Sequence, residues 1–140
     1  MSHIRIALTI IFSSLLLISC AEMREKLELM MRISKDLTTR FDHQQIHTSF
    51  GFGTETEDDH FSVTFLDFPL ENADEAELED ISSKVSDYLF GKYPELQEMA
   101  YIEVRFTDQT DINELKNFFS YRRENTRSNQ ELPDDMAKEL

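Results

Sequence analysis

From Glu22 to Phe41 the apolar residues Met23, Leu27, Met30, Leu37 and Phe41 recur at three- and four-residue spacings, interrupted by Ser34. That period predicts a helix with one buried stripe. The period then changes to two. Ile46, Thr48, Phe50 and Phe52 alternate with polar neighbours, and so do Phe61, Val63 and Phe65. Both runs read as strands, joined through the acidic turn Thr54-Glu55-Thr56-Glu57-Asp58-Asp59. Setting Gly53 opposite His60 would pair Phe52 with Phe61, Phe50 with Val63 and Thr48 with Phe65. All the aromatics then share one face, and a one-residue slip would scatter them.

Asn72 to Phe90 reads as a second helix. Asn72-Ala73-Asp74-Glu75 has the form of a capping box, and Gly91 stands where a C-cap is expected. Leu78, Ile81, Val85 and Leu89 form its stripe. Tyr101 to Thr107 predicts a third strand, with Ile102, Val104 and Phe106 inward and Tyr101, Glu103 and Arg105 outward. The next segment admits two readings. Asp111-Ile112-Asn113-Glu114 could open a helix burying Leu115, Phe118 and Phe119; Lys116 to Arg123 could instead be a fourth strand. Pro69 is placed at the close of the second strand, and from Glu124 onward the chain is polar. The order α-β-β-α-β-β predicts an α+β fold, a small antiparallel sheet of three or four strands with two helices on one face. Residues 20–123 would form the domain and 124–140 a mobile tail.

The first nineteen residues have a different character. A short polar start carrying Arg5 precedes Ile6 to Ile18, thirteen uncharged and mostly apolar residues. A bilayer-spanning helix needs about 20, so the run fits a secretory signal better than an anchor. It ends in Leu17-Ile18-Ser19-Cys20, and Cys20 is the only cysteine of the chain. This tetrapeptide resembles the lipobox of bacterial lipoproteins. The resemblance implies cleavage after residue 19, a diacylglycerol on the Cys20 thiol, fatty acyl chains such as palmitate in the bilayer, and a cell-envelope location. Ala21 stands where such proteins carry an aspartate when retained at the inner membrane, which points to the outer membrane in a Gram-negative host. The helix opens almost at once after Cys20, so either it forms a stalk or the domain lies close to the bilayer. The mature part also loosely resembles small lipoproteins of Bacteroidota, in which a strand pair is followed by an acidic helix ending near Tyr-Pro, here Tyr93-Pro94. That likeness carries no function with it.

Charge narrows the partners. All 28 acidic residues lie beyond Cys20 with 13 of the 14 lysines and arginines, a balance of −15. Such a domain repels phosphate backbones, so nucleic acid is a poor partner. A basic envelope protein is the better one. Glu71 to Asp80 holds six acids and no base, and Glu75, Glu77 and Asp80 mark a candidate contact surface there. Tyr101 and Arg105 mark another on the third strand.

Catalytic and metal chemistry find little support. A cysteine nucleophile is excluded once the thiol carries lipid. With three glycines in the chain, no phosphate-cradling loop or nucleophile elbow is present. His43, His47 and His60 lack ligand spacing, and His47 and His60 would lie about 20 Å apart in the hairpin. The turn Glu55, Glu57, Asp58, Asp59 lacks the calcium-loop pattern. No metal and no cofactor is expected. The sequence thus points to a non-enzymatic, membrane-anchored interaction module, with an acidic inhibitor or immunity-type protein masking a basic enzyme site as the second reading.

Overall fold

The computed structural model describes the backbone of residues 2–55 and 58–126, and the side chains of 21–55 and 58–126. Its elements are α1 (Ser2–Phe41), β1 (Ile46–Gly51), β2 (His60–Phe65), α2 (Glu75–Lys92), β3 (Tyr101–Phe106) and β4 (Phe119–Glu124). Short 3-10 turns occupy Leu70–Asn72, Pro94–Glu98 and Ile112–Glu114. The fold is α+β, with a four-stranded sheet in the order β1-β2-β3-β4.

The sheet is mixed. β1–β2 and β3–β4 are antiparallel, but the central pair β2–β3 is parallel, with Val63 opposite Val104. The expectation of an all-antiparallel sheet is corrected here, and the reason is topological. A parallel neighbour needs a long crossover, and α2 supplies it between β2 and β3. β4 is a strand, and the alternative helix survives only as the Ile112–Glu114 turn.

Register in the hairpin also differs from expectation. Phe50 pairs with Phe61 and Gly51 with His60, a slip of two residues from the predicted Gly53–His60 pairing. Slipping by two keeps every side chain on its face, so alternation alone could not select the register. Local fit selects it. A Cβ on Gly51 would lie 2.2 Å from the His60 ring, so only glycine lets that imidazole lie flat across the neighbouring strand.

Both helices lie on the aromatic face. Ser34 Oγ donates to the Ile46 carbonyl and Thr48 Oγ1 to that of Met30, fixing α1 over β1. Tyr121 Oη donates to the Glu75 carbonyl, tying β4 to the start of α2. The core gathers Leu29, Ile33 and Leu37 of α1, Leu78, Val85 and Leu89 of α2, and Phe61, Val63, Phe65, Ile102, Val104 and Phe106 of the sheet. Each fully buried side chain of this kind stabilises the fold by about 1.5–3 kcal/mol.

Helix boundaries and faces shift from expectation. α1 continues through residues 2–21, since neither Gly nor Pro interrupts residues 1–50. Its buried face is Leu29, Ile33 and Leu37, whereas Met23 and Leu27 of the predicted stripe are exposed. The helix carries apolar residues around much of its girth, and docking on β1 decides which row is buried. α2 starts later than predicted, because Asp74 rather than Asn72 caps it by accepting from the Glu77 N–H. It also runs through Gly91 to Lys92, with Tyr93 as C-cap. β2 ends at Phe65, ahead of Pro69, and the chain turns through a left-handed Asp67.

The packed chain extends past residue 123. Asn125 is buried and donates through Nδ2 to the carbonyls of Gln97 and Met99. The rest of the expected tail, from 127, lies outside the described residues.

Candidate functional site

The predicted surface residues do not form one surface. Glu75, Glu77 and Asp80 are exposed on α2, on the helix-covered side of the sheet, where Asp80 pairs with Lys84. Tyr101 and Arg105 alternate with buried Ile102 and Val104, so they lie on the opposite, uncovered face. Cys20 falls on α1 at a position whose side chain lies outside the described residues.

Tyr101 and Arg105 belong instead to a polar network centred on Glu103. The His60 ring stacks on Tyr101 with centroids 4.7 Å apart, and the Arg122 guanidinium lies 3.6 Å from the Tyr101 ring centroid. Glu103 accepts from Arg105, from Ser120 Oγ at 2.6 Å and from Ser62 Oγ at 3.3 Å. Burial works against the Glu103 charge, but hydrogen bonds from Arg105 and Ser120 outweigh it and hold the carboxyl below its usual range. Glu103 and Arg105 also shield the short Ser62 and Thr64, which are buried although they face outward.

In this network both serine hydroxyls are bonded to Glu103. Ser62 bonds to Glu103 rather than to an imidazole, and His60 Nδ1 is engaged with the Asp58 carbonyl at 2.9 Å. His43 Nε2 is bonded to the Leu66 carbonyl at 2.6 Å and its ring packs on Phe65 and Phe68. Among the described residues no cluster of His, Cys, Asp and Glu is arranged to hold a metal. The acidic turn is described only in part, and its Asp59 carboxylate accepts from the Gly53 N–H at 3.2 Å.

Among the described residues a groove of about 910 Å³ lies between α1, the hairpin tip and the Pro94–Glu98 turn. Leu29, Phe50, Phe52 and Met99 give it an apolar floor. Phe50 stacks on Phe52 and packs edge-on against Phe61, so the floor continues into the core. Phe52 is 58% exposed, a large apolar surface left open to water. Around this floor stand Glu22, Glu25, Glu28, Asp59, Glu95 and Glu98.

Two cations share the groove, and both are engaged. Lys26 lies 4.6 Å from the Phe52 ring centroid and pairs with Glu22, while Arg32 pairs with Glu95 at 2.9 Å. Glu28 pairs with Arg24 at 2.9 Å and Asp59 accepts from the Gly53 N–H, while Glu25 and Glu98 face solvent across apolar surface. Sequence reading missed this groove because its acids come from α1, the hairpin and the 3-10 turn, each unremarkable alone. Phe52, expected opposite Phe61, falls beyond the last paired residue of β1 once Gly51 pairs with His60.

No protein-family model matches the chain, and no curated protein or solved structure matches it significantly. Among the described residues no helix is long and apolar enough to cross a membrane.

Proposed function

We propose that this chain is a lipid-anchored protein of the cell envelope that binds a basic, amphipathic segment of a partner protein in the α1–hairpin groove. It works by binding and not by catalysis. The observation that carries this reading is the groove itself, where the exposed Phe52 ring borders an apolar floor ringed by carboxylates in excess of the lining cations. A partner helix with apolar anchors would cover Phe52 and the half-buried Phe50, and its flanking lysines or arginines would meet Glu25 and Glu98. Complementary charge steers such encounters and makes them sensitive to salt. The lipobox resemblance supports the anchor. α1, running from Cys20 into the groove wall, would hold this face near the membrane.

A synthetic leucine–lysine amphipathic helix, titrated against the full-length protein in neutral detergent, tests the reading. Phe52→Ala and the pair Glu25→Lys/Glu98→Lys are each expected to weaken binding by about tenfold or more, the scale of a lost anchor or charge pair. Glu77→Lys on α2 should leave it unchanged. Undiminished binding by the groove variants, or an equal loss in Glu77→Lys, would overturn it.

A further inference from the structure

On the other side of the Arg32–Glu95 pair the electrostatics reverse. A second cleft of about 510 Å³ opens between α1 and the C-terminal end of α2, and its cations are Arg32, Lys35 and Lys92. Its carboxylates are Asp36 and Glu95, so the lining is net positive in a chain of formal charge −14. Both of those carboxylates are already engaged. Asp36 Oδ2 accepts from Tyr88 Oη and Tyr93 Oη, each at 2.6 Å, and from Lys92 Nζ. Glu95 is held by Arg32.

The cations keep donors to spare. Lys92 spends two N–H groups, on Asp36 and on Tyr88 Oη at 2.8 Å, which leaves one of an ammonium's three. Arg32 spends one arm of its guanidinium on Glu95. Lys35 is exposed and has no ion-pair partner among the described residues. The Tyr93 ring and Pro94 supply a wall against which an organic group could rest.

We propose that this α1–α2 cleft is a binding site for a phosphate group, a free phosphomonoester or a phosphomonoester headgroup. Asp36 and Glu95 offset Lys92 and Arg32, so the net charge of the lining is that of Lys35, to which Arg32 and Lys92 add their spare N–H donors. Donors approaching from two helices suit a multivalent anion with several divergent oxygens better than a two-oxygen carboxylate. The cleft shares the Arg32–Glu95 pair with the acidic groove and is otherwise lined by different residues.

The test uses the full-length lipoprotein in phosphatidylcholine nanodiscs, read through the backbone amide shifts of residues 35 and 92. Inorganic phosphate should produce saturable shifts that sulfate reduces by competition, with affinity about tenfold lower in Lys35→Ser, the scale of one lost charge-assisted bond. Lys84→Ser, an exposed lysine elsewhere on α2, should bind as the parent does. Nanodiscs containing phosphatidic acid distinguish the sources: the same shifts without added phosphate identify a headgroup, and their absence alongside phosphate binding identifies a soluble ligand. Both outcomes support the site. Shifts from neither probe, or equal weakening by Lys35→Ser and Lys84→Ser, would overturn it.

Discussion

Asp36 is the residue on which the two helices converge. One carboxylate oxygen takes hydrogen bonds from Tyr88 and Tyr93 beyond α1 and from Lys92 at the end of α2. The Lys92 bond, followed by those of the two phenols, holds the Asp36 carboxyl well below its usual range. Its folded pKa is therefore lowered, so its contribution to stability is present above about pH 4 and is lost as acid reaches the depressed value. Tyr93 has the opposite sign. Burial first, then its bond to Asp36 and the nearby negative charge, push the phenol up to about 12 from 10.0. Its contribution is complete below pH 10.0 and is lost as pH rises toward 12. Asp36→Asn should cost about 1–3 kcal/mol at neutral pH and flatten both limbs of the stability–pH profile. Urea midpoints in acid, neutral and alkaline buffer measure this, and a parental profile in the Asn variant would contradict it.

Among the elements, α2 carries a correctable weakness. Gly91 lies inside the helix and not at its cap, and a Cβ there would meet nothing within 4 Å. Gly91→Ala should stabilise by about 0.5–1 kcal/mol through the unfolded chain's lost freedom. Thermal unfolding reads this as a higher Tm, and a fall would mean that the helix end is not formed as described. This position also shows where sequence legibility stops. The second helix was evident from Leu78, Val85 and Leu89, because burial imposes that period. Its end was misplaced because Gly91 looks the same as a cap or as an exposed helical residue. The strands were legible for the same reason as the helix, and even the hairpin error of two residues preserved the inward face. Strand direction was not, since Phe61 to Phe65 and Ile102 to Phe106 alternate alike whichever way they run. The thirty-five residues between β2 and β3, with a helix among them, were the signal for a parallel crossover. Candidate contact residues fared less well, because Tyr101 and Glu75 belong to opposite sides of a sheet whose layers no local pattern reveals.

At the scale of the whole molecule, charge is partitioned and not merely abundant. Carboxylates from three separate elements gather around Phe52, while Arg32, Lys35 and Lys92 gather across the Arg32–Glu95 pair. The Glu103 network takes up the outer sheet face, where Tyr101 and Arg105 are occupied by internal partners. The apolar floor within its acidic rim is the surface proposed to meet a protein partner. The most direct test places a photocrosslinking amino acid at position 52 of the full-length protein in intact cells, with position 77 as the control. A discrete adduct is expected at 52 whose crosslinked peptide is rich in apolar residues with lysine or arginine, weakened by Glu98→Lys and absent at 77. An adduct confined to 77, or one at 52 to an acidic segment that Glu98→Lys leaves intact, would contradict it.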